Sequence, residues 1–291
     1  MQEDNQINAL ISLLDDSDKE VYQHVFDKLV SFGPDIIPEL ETAWSETFNP
    51  TMNERIEELI HFIQFNVLKA DFQEWKDQGG EDLLRGWLLI SRFQFPDLNI
   101  TEIEEKIDDL KKDIWLELTD NLTPIEKINI FNHVLYSLKS FKGNITDNQD
   151  PRYYCINHLL ETHKGNPLSL GMLYIILAGA MEIPVYGVNL PRHFILCFNK
   201  YADPDFEDSD LLRKDVLFYI NPLNKGFIFT RNEITEYLKK MQMKARDEYF
   251  VPCTNKEVMQ ILMHHMIKLF GDSGNPDKVT EIKQLLDILN D

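Results

Sequence analysis

The stretch HKGNPLSLGMLYIILAGAMEIPVYGVNLPRHFILCF, residues 163–198, decides the fold. An Asn-Pro pair stands at positions 166–167, and these residue types favour the N-cap and the first position of a helix. A nearly continuous apolar run follows and ends at an Ile-Pro pair. Two apolar segments, 185–189 and 193–198, then predict strands joined by a short turn. The stretch therefore predicts one buried helix packed on an antiparallel sheet.

The residues that follow extend this core. Segments 216–220 and 227–230 predict two more strands around an Asn-Pro turn. Three helices then follow by apolar periodicity, over residues 231–243, 254–271 and 276–289. The acidic stretch 201–215 is predicted to be a loop. The chain after residue 144 thus predicts an α+β core followed by a helical C-terminal tail.

The preceding half is typical of an all-α region. Residues 10–40 predict a helix, an acidic turn, a helix, a Gly-Pro stop and a further helix, an order that resembles one unit of a HEAT-type repeat. Thr101 to Glu104 predicts a capping box, and Thr123-Pro124 with Glu126 predicts a second helix start. We expect three regions: a helical, acidic region at 1–122, an α+β core at 123–250 and a helical tail at 251–291.

The chain is acidic, and the charge is unevenly distributed. All 291 residues carry a net charge of −20; residues 1–150 hold 31 acidic and 13 basic residues, and residues 151–291 hold 18 and 16. Such a balance argues against general nucleic-acid binding and against docking on an anionic membrane. The acidic faces are either solvated surface or a surface for a basic partner. A protein or peptide is the partner class we expect; the sequence leaves the oligomeric state open.

Several sequence motifs are absent, and we use this to predict the cellular location and the cofactors. The N-terminal MQEDNQ lacks the basic and apolar regions of a signal peptide, and the apolar run 170–181 is too short to span a bilayer. Three cysteines do not make a disulfide framework, so a cytoplasmic protein is expected. The sequence contains no HExxH, CxxC, GxGxxG or GxxxxGK[ST] motif. His264 and His265 are adjacent on a helix and point in different directions. We therefore expect neither a metal nor a nucleotide cofactor.

Four sequence blocks occur in an order that carries a family resemblance. They are FNHVLYSLKSFKGN (131–144), HKGNPLSLGMLY (163–174), LPRHFIL (190–196) and YINPLNKG (219–226). Together they resemble the SirB-type transglutaminase-like family, a bacterial branch with a TPR-like helical tail. The resemblance covers about residues 124–290. It implies a transglutaminase- or papain-like core.

The resemblance also implies where a catalytic site would lie. Active members of the superfamily place a nucleophilic Cys at the N-terminus of the central helix, a His on a following strand and an Asp on the next strand. His193 matches the His, and Asn221 stands at the position of the acid. The nucleophile position falls at Leu168 or Ser169, neither of which is a cysteine. Asn166, Leu168 and Arg192 are expected to line the pocket.

Each of these residues also has a purely structural interpretation. Ser169 is either a nucleophile or a serine that caps the helix backbone. His193 is either a functional group or a hydrogen-bonded structural histidine, and Asn221 either orients His193 or forms a turn before proline. Of the cysteines, Cys155 is expected in the core, and Cys253 has no partner by spacing. Cys197 lies ~13 Å from His193 along the same strand, too far for a catalytic pair.

Two hypotheses follow. The first is a transglutaminase-like protein that lacks the catalytic cysteine and acts as a binding or regulatory module. Its acidic helical half and its helical tail would be partner surfaces. The second is a serine-dependent acyltransferase or amide hydrolase that uses Ser169, His193 and Asn221. The second requires the Ser169 hydroxyl within hydrogen-bond reach of the His193 ring, beside an open cleft.

Overall fold

The computed structural model describes residues 2–144, 150–200 and 215–290. The chain divides into two compact units, residues 1–72 and 73–291. The predicted region boundaries after residues 122 and 250 both fall inside the second unit, and they stay predictions. Most of the predicted acidic loop 201–215 lies outside the described residues.

The first unit is helical. It contains α1 (Gln2–Ile11), α2 (Lys19–Val30), α3 (Ile37–Glu46) and most of α4 (Pro50–Asp77). Asp18 caps α2 by accepting a hydrogen bond from the Glu20 amide at 2.8 Å. The predicted order of helix, acidic turn, helix, Gly-Pro and helix is present, and the HEAT-type assignment stays a prediction. Apolar side chains of all four helices form one core cluster, including Ile11, Leu14, Leu29, Leu40, Ile56 and Leu59.

The second unit holds the remaining helices and all strands of the described residues. Its helices are α5 (Leu83–Gln94), α6 (Ile100–Glu117), α7 (Pro124–Asn132), α8 (Ile156–Thr162), α9 (Pro167–Ala180), α10 (Arg231–Lys240), α11 (Asn255–Asp272) and α12 (Pro276–Asn290). Its strands are β1 (Lys142–Gly143), β2 (Lys164–Gly165), β3 (Val185–Leu190), β4 (His193–Asn199), β5 (Val216–Asn221) and β6 (Phe227–Phe229). Within the described ranges, no helix has the length and apolar character needed to cross a bilayer.

One predicted helix start is confirmed and one is wrong. Thr123 caps α7 in a capping box with Glu126. Helix α6 instead begins at Ile100, because the Asn99 side chain accepts a hydrogen bond from the Glu102 amide at 3.2 Å. Thr101 therefore lies inside the first turn. Asn is at least as good an N-cap as Thr, so the earlier residue takes the position.

The sheet has the order β3-β4-β5-β6, and every neighbouring pair is antiparallel. Leu190 pairs with His193, so only Pro191 and Arg192 form the turn between β3 and β4. The sheet and the buried helix α9 confirm the predicted α+β fold class. A separate two-stranded parallel pair, β1 with β2, was not predicted from the sequence.

The ring of Phe194 fits between a helix glycine and a strand glycine. A Cβ atom built on Gly171 of α9 would lie 2.7 Å from Phe194 Cε1, and one built on Gly187 of β3 would lie 2.5 Å from Phe194 Cζ. Both distances are shorter than real carbon contacts. The absence of side chains at these two positions therefore sets how closely α9 approaches the sheet.

This close approach predicts an unusual outcome for a glycine-to-alanine change. Gly171→Ala should destabilise the protein by about 1–3 kcal/mol, because overpacking against Phe194 outweighs the better helix propensity of alanine. Gly179→Ala on the same helix is the matched control, since no atom lies within 4 Å of its added Cβ. Urea unfolding should find the control unchanged or stabilised by up to about 1 kcal/mol. Equal effects of the two changes would contradict the packing.

Candidate functional site

A small cavity of about 120 Å³ lies at the N-terminus of α9. Its wall comes from the turn before α8, the start of α9, the β3–β4 hairpin and α11. The polar and charged lining includes Tyr154, Asn166, Arg192, His193 and His265, together with the apolar Leu168. Four of the residues predicted from the sequence, Asn166, Leu168, Arg192 and His193, are thus brought together. Ser169 and Asn221 are not among the lining residues.

The first turn of α9 is fixed by a capping box. The Asn166 side chain accepts a hydrogen bond from the Ser169 amide at 2.8 Å, and the Ser169 hydroxyl accepts one from the Asn166 amide at 3.0 Å. The same hydroxyl can donate to the Asn166 carbonyl at 3.3 Å. Ser169 is fully buried. Its hydroxyl is therefore held by the backbone of Asn166, and it makes no hydrogen bond with His193.

Leu168 stands at the second position of α9 and lines the cavity with His193. The residue is 3% exposed. Its backbone amide makes no hydrogen bond with any residue in the described ranges, as is usual for the first amides of a helix. Of the two residues that the resemblance placed at the nucleophile position, the one beside His193 thus carries no reactive group.

His193 is the first residue of β4, directly after the two-residue turn that joins it to β3. More than a third of its surface is exposed, and its ring lies edge-on to Tyr237 of α10 with 5.4 Å between centroids. No residue that the structure describes forms a hydrogen bond with the ring. Desolvation by the neighbouring atoms lowers the pKa of His193 below its ordinary value of 6.5. The imidazole is therefore predominantly neutral near pH 7.

Asn221 ends β5 and shapes the turn that follows it. Its side-chain oxygen accepts hydrogen bonds from the amides of Leu223 at 3.1 Å and Asn224 at 3.2 Å. These two bonds cap the short 3₁₀ helix Pro222–Asn224. They match the structural interpretation of Asn221 as a turn residue, and no hydrogen bond joins Asn221 to His193.

Arg192 occupies a conformation that favours glycine. Its φ is +66°, at the second position of the two-residue turn, where φ is positive in a type II turn. The Tyr237 hydroxyl donates to the carbonyl of the preceding Pro191 at 3.4 Å. Among the described residues the Arg192 guanidinium has no hydrogen bond or ion pair, whereas Arg152 and Arg231 each pair with a carboxylate.

The three cysteines lie elsewhere. Cys155 and Cys197 are fully buried, and burial raises the pKa of the Cys155 thiol to about 12 and that of Cys197 higher still. Cys253 lines a different cavity, and burial raises its pKa to about 12. All three thiols are therefore protonated at neutral pH, and a protonated thiol is a poor nucleophile.

Two residues of the cavity were missed from the sequence. Tyr154 precedes α8, and its carbonyl accepts a hydrogen bond from the Trp87 indole of α5 at 2.7 Å. His265 lies on α11 and stacks on Tyr154 with 5.7 Å between ring centroids. The sequence offered only the adjacent pair His264-His265, considered as metal ligands. Among the described residues, no group of three His, Cys, Asp or Glu side chains could hold a metal ion.

Comparison with known proteins places this architecture in a family. A profile of the transglutaminase-like superfamily matches residues 101–264, more than half of the chain. The chain belongs to the transglutaminase-like superfamily. The matched residues include α9, the sheet and most of the cavity wall. The narrower SirB-type assignment stays a prediction. No solved structure matches the chain.

Similar sequences come from bacteria and from animals. A "UPF0162 protein" of Xylella fastidiosa strain 9a5c is 31% identical over 198 residues, 66% of this chain and 66% of its own length. The human "F-box only protein 21" is 25% identical over 245 residues, 77% of this chain and 37% of its own length. A "UPF0162 protein" of Vibrio cholerae is 23% identical over 163 residues, 56% of each chain. The chain thus matches less than two thirds of each of these relatives.

The capping box predicts the effect of removing the Ser169 hydroxyl. Ser169→Ala leaves the buried Asn166 amide without its hydrogen-bond acceptor, which should lower the free energy of unfolding by about 1–3 kcal/mol. Ser273→Ala removes an exposed serine hydroxyl that donates to the Phe270 carbonyl, and it should change stability by less than about 0.5 kcal/mol. Denaturant titration compares the two variants. A neutral Ser169→Ala would contradict the capping role.

Proposed function

We propose that this transglutaminase-like protein is a non-catalytic binding or regulatory module whose partner is a protein or a peptide. The observation that carries the proposal is the apolar Leu168, which lines the cavity with His193 and is, with Ser169, one of the two residues that the family resemblance assigns to the nucleophile position. A leucine side chain can form no covalent acyl intermediate.

The hydrogen bonds of Ser169 and Asn221 support the same proposal. The Ser169 hydroxyl is buried and bonded to the Asn166 backbone, so it lacks the contact with a base that activates a serine. Asn221 uses its side-chain oxygen in a turn, so it is not available to orient His193. A working triad needs the histidine within hydrogen-bond reach of both the nucleophile and the orienting residue.

The surroundings of the cavity support a binding role. The cavity is concave, some of its polar groups have no partner among the described residues, and it lies between the superfamily core and the helical tail. We further propose that the acidic helices of the first half and the tail supply additional partner surface. The acidic charge of residues 1–150 would steer a partner with basic segments.

A serine-reactive probe tests the non-catalytic part of the proposal. The wild-type protein should not be labelled by a fluorophosphonate, because labelling requires a serine hydroxyl activated by a base. Denatured protein and a known serine hydrolase serve as the negative and positive controls. Mass spectrometry would locate any adduct.

The opposite result has a definite form. Labelling at Ser169 that disappears in both Ser169→Ala and His193→Ala would overturn the proposal and establish the serine-dependent acyltransferase or hydrolase. Labelling that persists in His193→Ala would be non-specific phosphonylation and would leave the proposed function standing.

A further inference from the structure

The cavity at the start of α9 is lined differently from the rest of this acidic chain. The protein has a net charge of −20, yet among the described residues neither Asp nor Glu lines this cavity. Its ionisable lining consists of Arg192, His193, His265 and Tyr154. The two larger cavities at β3, in contrast, have carboxylates such as Glu81 and Glu257 in their walls.

Tyr154 is a largely buried residue that lines this cavity, 6% exposed. Its hydroxyl makes no hydrogen bond with any residue in the described ranges. Its backbone is held by Trp87, and its ring stacks on His265. The hydroxyl is therefore free to donate a hydrogen bond to a ligand.

Two further donors at the same cavity are unused. The Arg192 guanidinium and the Leu168 amide make no hydrogen bond within the described part of the chain. The Asn166 side chain, in contrast, already has partners. Its oxygen accepts a hydrogen bond from the Ser169 amide, and its nitrogen donates one to the Tyr153 carbonyl at 3.3 Å. The unused groups thus include three donors, the Arg192 guanidinium, the Tyr154 hydroxyl and the Leu168 amide, which suit an acceptor-only ligand such as an oxyanion.

We propose that this cavity binds a carboxylate group of a peptide partner, with Arg192 as its main ligand and Tyr154 and the Leu168 amide as additional donors. The inference rests on the proposed function, because it names the group of the partner that the site takes. A cavity of about 120 Å³ has room for a carboxylate and leaves the rest of the peptide on the surface.

The charge of the cavity favours a carboxylate over a phosphate. Arg192 is its one permanent cation among the lining residues. Desolvation lowers the pKa of both His193 and His265, and the nearby Lys268 and His264 lower that of His265 further. The site therefore carries close to one positive charge at pH 7, which balances a monoanion. An arginine also matches the two oxygens of a carboxylate in a bidentate pair.

Nuclear magnetic resonance of the full chain, with the histidine rings labelled, tests the site with small probes. N-acetylglycine represents a peptide C-terminus, and N-acetylglutamate α-amide represents an acidic side chain. The neutral N-acetylglycinamide and inorganic phosphate are the comparison ligands. At least one carboxylate probe should shift the His193 and His265 signals saturably, with a dissociation constant on the order of millimolar, as is usual for so small a ligand. The stronger carboxylate identifies the source of the group.

Matched variants assign the binding to the named donors. Arg192→Gln should weaken the carboxylate probe roughly tenfold or more, since a charge-assisted bidentate pair is lost. Tyr154→Phe removes only one hydroxyl and should weaken it several-fold. Arg246→Gln changes an exposed arginine that pairs with Glu248 and does not line the cavity, so binding should be unchanged.

Several results would overturn the carboxylate site: no saturable shift, equal binding of the neutral amide, unchanged binding in Arg192→Gln, or tighter binding of phosphate.

Failure of the carboxylate site is separable from failure of the proposed function. Absent carboxylate binding together with absent fluorophosphonate labelling removes the site and leaves the non-catalytic module. Labelling that depends on Ser169 and His193 removes the proposed function whatever the carboxylates do.

Discussion

The hydrogen bonds between Asn166 and Ser169 fix the first turn of α9, and the character of the whole site depends on them. They turn the one hydroxyl of this turn towards the backbone of Asn166. Leu168 is then the residue of this turn that lines the cavity with His193. The same capping box that stabilises the helix thus leaves Leu168, one of the two residues that the family resemblance assigns to the nucleophile position, at the cavity.

Packing of α9 against the sheet holds this arrangement in place. Phe194 follows His193 directly, and its ring lies between Gly171 and Gly187. Since successive residues of a strand point to opposite faces, the placement of Phe194 against the helix puts the His193 side chain towards the other face. Tyr237 contacts the His193 ring there. The two-residue turn, with Arg192 in a left-handed conformation, places the Arg192 and His193 side chains in the wall of the cavity.

The start of α9 and the strands of the main sheet could be predicted from the sequence, because neighbouring residues determine both. Asn-Pro before an apolar run placed the start of α9, and apolar segments around turn residues placed all four strands of the main sheet. The gathering of Asn166, Leu168, Arg192 and His193 followed from a family resemblance rather than from periodicity. The side-chain direction of Ser169 could not be decided, because capping and catalysis both use a serine near a helix N-terminus.

The contributions from distant elements were not predictable in the same way. Tyr154 and His265 join the cavity only because the turn before α8 packs on α9 and α11 packs on that turn and on β3, and nothing in their local sequence indicates this. Thr101 and Asn99 are both good caps two residues apart, so their local sequence does not settle where α6 begins. That Arg192 has no ion pair with any described residue is likewise a property of the fold, since carboxylates are abundant in the sequence.

The most direct measurement compares cysteines introduced at the two adjacent positions, Leu168→Cys and Ser169→Cys, by their alkylation rates with iodoacetamide at pH 7. Leu168 lines the cavity at the N-terminus of α9, which lowers a thiol pKa, so Leu168→Cys should be alkylated about tenfold faster than Ser169→Cys, although its 3% exposure keeps it slower than an exposed thiol. Ser169→Cys should react only on unfolding, and the wild-type protein supplies the background of its three native cysteines. Fast alkylation of Ser169→Cys with a protected Leu168→Cys would contradict the orientation of α9 on which the account depends.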